Sequence, residues 1–163
     1  MDELIDHVDE ENNVIGVMDR AIVRAKKLPR RIVHLFVVNS NGEVYLHRIA
    51  FSKPSFSGSW ATSASGYVKA GESYEAAAKR ELEEELGIAG APLTHIGDFM
   101  HDFDGVKRFI GLFLCVYDGK ITPDPREIAE GKFFTQEEAE RLFMSGKAVP
   151  SLPALYHHLK ETS

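Results

Sequence analysis

The stretch that decides the fold reads Gly66-Tyr-Val-Lys-Ala-Gly-Glu-Ser-Tyr-Glu-Ala-Ala-Ala-Lys-Arg-Glu-Leu-Glu-Glu-Glu-Leu-Gly-Ile88. Its second part predicts a helix from about residue 74 to residue 86. Ser73 is a residue type that caps the amino end of a helix, and Gly87 supplies the left-handed conformation that ends one. A loop therefore leads into a helix that is unusually rich in carboxylates.

Three acidic residues of this helix project to one side, because Glu84 and Glu85 follow Glu81 by three and four residues. Like charges at this spacing destabilise an isolated helix by a few tenths of a kcal/mol per pair, on the order of 0.3. A divalent cation would offset the repulsion, and clustered carboxylates form the hard-oxygen environment that suits Mg²⁺, with Mn²⁺ as a substitute. The pattern predicts a metal-binding helix face.

Other residues of the stretch are predicted to have structural roles. The planar guanidinium of Arg80 can hold Glu72 through two parallel hydrogen bonds. Gly66, Gly71 and Gly87 allow positive φ angles or a close approach of the backbone to a metal or phosphate.

The rest of the chain predicts an α+β fold with a mixed sheet covered by helices. Residues 32–38 and 43–49 form one hairpin, and residues 96–103 and 106–117 form another. A capping box at Thr135 opens a second helix, and a third covers residues 152–160. We find no interdomain linker and predict one domain over residues 1–163.

Composition narrows the classes of function. The chain has 163 residues, 44% of them hydrophobic, and a formal charge of −6. The negative charge argues against extended nucleic-acid binding, and no apolar run has the length of a membrane span. An acidic amino terminus, unlike a secretory signal, favours a cytoplasmic location. A small phosphorylated substrate is the expected partner, and either a monomer or a homodimer is compatible with the sequence.

The spacing Gly-x5-Glu-x7-Arg-Glu-U-x-Glu-Glu-x-Gly-U, with U aliphatic, is matched at every specified position and resembles the signature of the Nudix hydrolases. The resemblance implies a Nudix α/β/α sandwich that hydrolyses a diphosphate linkage in a nucleoside di- or triphosphate or a nucleotide conjugate. It implies that Glu81, Glu84 and Glu85 hold the metal together with the carbonyl oxygen of Gly66. Family members often draw a general base from outside the motif, and the candidates here are Glu127 and Glu130.

Two further segments, residues 8–17 and 48–60, resemble the superfamily branch related to isopentenyl diphosphate isomerase. The resemblance places Ser65 where that enzyme needs a catalytic cysteine. Of its three metal-binding histidines, Tyr67 and Lys27 replace two, whereas His34 matches the third. A serine does not supply a readily ionised thiolate, so we expect a hydrolase on an isomerase-like scaffold. The resemblance implies that Lys53 contacts the diphosphate. We add Arg48, which lies close to it in sequence, and Tyr67, an aromatic residue that can stack on a base, as predicted substrate-binding residues.

Two alternatives stay open at this point. One is an isomerase-like reaction on isopentenyl diphosphate. The other is a noncatalytic module that binds a nucleotide or a partner, although such a module has no chemical reason to keep a complete set of metal ligands.

Overall fold

The structure is a computed structural model that describes residues 3–162, so residues 1, 2 and 163 of the predicted domain lie outside it. The helices are α1 (Arg20–Ala25), α2 (Tyr74–Leu86), α3 (Gln136–Met144) and α4 (Ser151–Glu161). The strands are β1 (Leu4–Val8), β2 (Val14–Asp19), β3 (Arg30–Val38), β4 (Val44–Ile49), β5 (Trp60–Ala61), β6 (Ala64–Tyr67), β7 (Thr94–Phe103), β8 (Val106–Val116) and β9 (Ile128–Phe134).

A seven-stranded mixed sheet forms the centre of the molecule. Its main path is β5-β4-β3-β8-β7, with β6 added to β3 and β9 added to β4. Strands β3 and β8 are parallel, and the other pairs are antiparallel. One edge of β3 pairs with β8 over its whole length, whereas the other edge is shared by β6 and the first residues of β4. This shared edge lies beside the site described below.

Two hydrophobic cores cover the two faces of the sheet. On one face, Val33, Leu35 and Val37 of β3 pack with the inner side of α2. On the other face, Phe36 belongs to a core that includes α4 and a residue of α3. Because side chains alternate along a strand, β3 contributes to both cores. The arrangement is the expected α/β/α sandwich with a mixed sheet.

Helix α2, which carries the acidic residues, lies between its two predicted capping residues, Ser73 and Gly87. The Ser73 side chain accepts a hydrogen bond from the backbone N–H of Ala76 at 3.1 Å. Gly87 ends the helix with φ 68°, in the left-handed region that favours glycine. Both predicted hairpins are confirmed, as is the capping box at Thr135.

The first 25 residues contain elements that the sequence did not predict. β1 and β2 form a separate two-stranded sheet, and α1 follows it. Strand β9 is also additional, and it pairs with β4. Across residues 3–162, no helix is long and apolar enough to cross a membrane.

Candidate active site

A cleft of about 900 Å³ brings together the acidic face of α2, the inner sides of β3, β4 and β6, and the loop after β4. Its lining includes most of the residues that the sequence singled out. They are Lys27, His34, Lys53, Ser65, Gly66, Tyr67, Glu81, Glu84, Glu85 and Glu127.

Glu81 and Glu85 form the most deeply placed acidic pair of the cleft. Glu85 is only 7% exposed. Burial raises the pKa of Glu85 well above its ordinary value, and its hydrogen bond to Glu81 and the charge of Glu81 raise this pKa further. The backbone N–H of Ser65 acts in the opposite direction. Two carboxylates this close hold a proton between them or require a cation in its place.

Gly66 gives the carboxylate of Glu81 room to lie against β6. A Cβ atom added at Gly66 would collide with the carboxylate carbon and both oxygens of Glu81. The φ angle of Gly66 is not in the left-handed region, so the requirement for glycine at this position is one of space.

The three glutamates of α2 fit a hard divalent cation, since carboxylate oxygens are the ligands that such a cation prefers. Within residues 3–162, however, no three acidic, histidine or cysteine side chains already form a metal-binding group. Instead, Glu81 accepts a hydrogen bond from Arg80 at 2.6 Å, and Glu84 lies 3.4 Å from Arg80 with its side chain 56% exposed. The metal ligation by Gly66, Glu81, Glu84 and Glu85 therefore stays a prediction.

Arg80 and Glu72 form the two parallel hydrogen bonds expected of them. Arg80 Nε and Nη2 each donate to a Glu72 oxygen at 2.9 Å, and Nη2 also donates to the carbonyl oxygen of Tyr67 at 3.0 Å. The backbone N–H of Lys69 donates to the same carboxylate. These bonds tie the loop before α2 to the helix, and Gly71 turns that loop with φ 75°.

The residues predicted outside the motif separate into two pairs. Lys53 lies 2.7 Å from Glu127, and both line the cleft. Arg48 lies 3.9 Å from Glu130, and within residues 3–162 neither belongs to the lining. Glu130 is a residue of strand β9 and faces Arg48 across the β4–β9 pair. The structure brings Glu127 and Lys53 to the cleft, and it keeps Glu130 and Arg48 outside.

His47 is a cleft residue that the sequence did not reveal. Its Nδ1 lies 2.6 Å from the carbonyl oxygen of Thr62 and 3.1 Å from that of Ser63. Carbonyl oxygens only accept hydrogen bonds, so Nδ1 carries the proton, and Nε2 of the neutral ring has a free lone pair. Burial lowers the pKa of His47, which keeps the ring neutral. No motif marks this residue, and its position is set by the pairing of β4 with β5.

His34 is a second buried imidazole, and its Nδ1, like that of His47, faces a hydrogen-bond partner. Its Nδ1 contacts the hydroxyl of Thr62 at 2.8 Å, and that hydroxyl donates to the carbonyl oxygen of Ala64. The hydroxyl hydrogen is therefore used, so His34 Nδ1 is the donor of the first bond. Burial lowers the pKa of His34 to about 3, and the nearby His101, His47 and Arg108 would each disfavour a second positive charge. Strand β6 places Ser65 directly opposite His34.

Replacing Gly66 with alanine is expected to lower kcat/KM about 100-fold with little change in stability. The new methyl group would push the Glu81 carboxylate away from β6, and a misplacement of about 1 Å at a reacting site costs about this factor. The flexible end of the Glu81 side chain can move aside, so folding should tolerate the change. Steady-state kinetics and urea denaturation check both parts. Gly16→Ala is the control, because a Cβ there meets no atom within 4 Å.

The buried imidazole of His34 should make the protein less stable in acid. An unfolded histidine titrates near pH 6.5, whereas folded His34 titrates at about 3. Since the folded pKa is the lower one, this contribution to stability is present above pH 6.5 and is lost as the pH falls. Between pH 6.5 and 4.5 the loss amounts to roughly 2–3 kcal/mol.

Urea denaturation of the wild type and of His34→Asn at pH 7.0 and 4.5 tests this contribution. The variant should show a smaller loss of stability between the two pH values. His157→Asn, at an exposed histidine of α4, should behave like the wild type. Equal pH dependence in His34→Asn and the wild type would show that His34 contributes nothing.

Comparisons with known proteins agree with the fold and the motif. The NUDIX domain family matches residues 28–158. An uncharacterized Nudix hydrolase of Pseudomonas aeruginosa is 39% identical over 137 residues, covering 84% of this chain and 81% of the relative. Another of Yersinia pestis is 38% identical over 136 residues, covering 83% and 75%. A crystal structure from Deinococcus radiodurans superposes with a TM-score of 0.80 and 27% identity, covering 90% of this chain and 92% of the other. The chain belongs to the Nudix hydrolase family.

Proposed function

We propose that the chain hydrolyses a diphosphate linkage in a small phosphorylated substrate, a nucleoside di- or triphosphate or a nucleotide conjugate, with Mg²⁺ as cofactor and Mn²⁺ as a substitute. The observation that carries this proposal is the buried Glu81–Glu85 pair at a cleft that is also lined by cationic side chains. A diphosphate is the kind of ligand that needs a metal on one side and cationic groups on the other.

When bound, Mg²⁺ would polarise the phosphate oxygens and neutralise the charge that grows on them. Glu81, Glu84 and Glu85 would hold it through their carboxylate oxygens. Lys53 would contact a phosphate oxygen, since it lines the cleft and its ammonium group lies 2.7 Å from Glu127.

A water molecule that attacks phosphorus must lose a proton while the bridging oxygen takes the bonding electrons and leaves. Two groups of the cleft can accept this proton. Glu127 is the sequence-predicted candidate, and an incoming phosphate that draws Lys53 away would free its carboxylate. His47 is the second candidate, because its ring is neutral and its Nε2 has a free lone pair.

The resemblance to the isomerase branch belongs to the same proposal. Ser65 and Tyr67 line the cleft next to His34, at the positions where that branch uses a cysteine and a histidine. A hydroxyl at position 65 is a poor substitute for a thiolate. We infer that this scaffold supports hydrolysis in place of isomerisation, with Lys53 as the phosphate contact that the two activities share.

The test incubates the full chain with a panel of nucleoside di- and triphosphates, nucleotide conjugates and isopentenyl diphosphate, with Mg²⁺ or with EDTA. Phosphate release and product masses identify the bond that breaks. Hydrolysis of a panel member with Mg²⁺ and none with EDTA is the expected result. Rearrangement of isopentenyl diphosphate without phosphate release would establish the isomerase alternative.

A further inference from the structure

We propose that one wall of the cleft, formed by Arg24, Arg30 and Arg108, binds a second anionic group of the substrate at a distance from the diphosphate. The inference rests on the proposed hydrolase function and specifies its substrate class. The substrate would be a nucleotide conjugate that carries a further phosphate on its nucleoside. These three residues are called the arginine wall below.

Arg30 is a buried cation that has only neutral hydrogen-bond acceptors among residues 3–162. It is only 5% exposed, and it lines the cleft. Its guanidinium donates to the carbonyl oxygens of Leu28 and Val23 and to the hydroxyl of Tyr67, at 3.2, 3.3 and 3.0 Å. All three acceptors are neutral, and no carboxylate of residues 3–162 lies within 4.0 Å of it. Because a buried charge with only neutral partners is poorly compensated, an anion that enters from the cleft would stabilise it.

Arg108 adds a second cation next to the first. The parallel register of β3 and β8 places it beside Arg30. Its guanidinium donates to the carbonyl oxygens of Phe103 and Val106, and no ion pair to it is formed within the described chain. Burial lowers the pKa of Arg108 and the charge of Arg30 lowers it further, while the charges of Tyr67, Asp104 and Asp102 act in the opposite direction. Two neighbouring like charges favour an anion between them.

Within residues 3–162, the acidic residues on this side of the cleft form no direct ion pair with the arginine wall, although Asp102 and Asp104 interact with Arg108 over a longer distance. Glu3 lies 3.6 Å from Arg20, and Asp104 lies 3.3 Å from Lys27, so each already has a cationic partner. Asp102 lines the cleft too, but it forms no ion pair within residues 3–162. Arg24 is exposed, lines the cleft and has no carboxylate within 4.0 Å in the same part of the chain.

The distance between the two sites sets the size of the group that joins them. Gly66, against which Glu81 lies, is paired with Val33, three residues along β3 from Arg30. Three residues of a strand span about 10 Å. A diphosphate near Glu81 and a phosphate on the far side of the same nucleoside would occupy both sites.

Two matched pairs of compounds test the arginine wall by kinetics. Coenzyme A and NADP⁺ each carry a ribose phosphate that dephospho-coenzyme A and NAD⁺ lack. We expect kcat/KM to be about tenfold higher for the phosphate-bearing member of each pair, the size expected of charge-assisted hydrogen bonds in a partly buried site. Arg24→Gln and Arg108→Gln should each reduce this ratio severalfold. Arg141→Gln, on the exposed surface of α3, should leave the ratio unchanged.

Calorimetric titration of the full chain with adenosine 3′,5′-bisphosphate and with 5′-AMP compares the two affinities and requires no catalysis. Tighter binding of the bisphosphate, lost in Arg108→Gln, supports the arginine wall even where no conjugate is hydrolysed. Failure of hydrolysis alone would contradict the proposed function for this class of compound. Equal affinity of the two nucleotides for the wild type would overturn the inference about the arginine wall. A preference for the bisphosphate that persists in both Arg24→Gln and Arg108→Gln would overturn it too.

Discussion

Replacing Glu84 with glutamine is expected to lower kcat/KM by roughly 10³-fold, the upper range for loss of one group that stabilises the transition state. The substitution removes one of the three carboxylates predicted to hold the metal. The Glu84 side chain is 56% exposed, and its contact in the protein is Arg80 at 3.4 Å, so folding does not depend on it. Steady-state kinetics on the substrate found by the panel measure the loss, and urea denaturation should show an unchanged midpoint.

Glu83→Gln is the matched control for this prediction. Glu83 is adjacent to Glu84 in sequence and is exposed on a different side of α2. Its substitution by glutamine removes the same charge. Its activity should stay within about twofold of the wild type, because exposed charges interact weakly through water. If Glu84→Gln loses no more activity than Glu83→Gln, Glu84 is not a metal ligand. If neither the wild type nor a variant hydrolyses any substrate, the noncatalytic alternative gains.

The features predicted correctly depend on short stretches of chain. The helix Tyr74–Leu86 has the predicted bounds because Ser73 and Gly87 determine its ends locally. The hairpin of β3 and β4 follows from the turn at residues 39–42, and that of β7 and β8 from the turn at residues 104–105. In each case the decisive residues are neighbours in sequence.

The elements that were missed depend on distant contacts. Strand β2 is largely exposed, so it lacks the alternation of buried and exposed residues that marks a strand. Helix α1 has six residues, too few for a periodic pattern. Strand β9 follows a loop that contains Pro123 and Pro125, and its pairing with β4 joins residues that are 79 to 90 positions apart. No local sequence pattern predicts such a pairing.

The residues of the site also divide into those that a local sequence pattern predicted and those that it missed. The motif indicated Glu81, Glu84, Glu85 and Arg80, because their spacing along one helix is readable from the sequence. His47 and Arg30 carry no motif, and they enter the cleft through the positions of β4 and β3 in the sheet. Their chemistry appears only once their partners are known, which are two carbonyl oxygens for His47 and neutral acceptors for Arg30.

Replacing Arg80 with alanine is expected to destabilise the fold by roughly 2–3 kcal/mol at pH 7, just below the usual range for a buried ion pair that loses one partner. The side chains of Arg80, Glu72 and Glu81 are 17%, 16% and 12% exposed. Without the guanidinium, two nearly buried carboxylates lose their cation, and the carbonyl oxygen of Tyr67 loses a donor. Urea denaturation at pH 7 measures the change.

The pH dependence of this loss distinguishes an electrostatic role of Arg80 from simple packing. Burial by itself would raise the pKa of Glu72, but the hydrogen bonds from Arg80 and from the backbone of Lys69 hold this pKa below its ordinary value. The stability gained from the ion pair is therefore present above the unfolded pKa of about 4.5 and is lost as the pH falls through the folded pKa. The difference between wild type and Arg80→Ala should shrink in acid.

Lys79→Ala is the control, because Lys79 pairs with Glu75 on the exposed side of the same helix. An exposed pair of this kind contributes about 0.3–0.5 kcal/mol. A loss in Arg80→Ala no larger than that in Lys79→Ala, or one that stays constant between pH 7 and pH 4, would show that the Arg80–Glu72 pair does not stabilise the fold. A large loss that fades in acid would instead establish that Arg80 stabilises the fold as the cationic partner of Glu72 and Glu81.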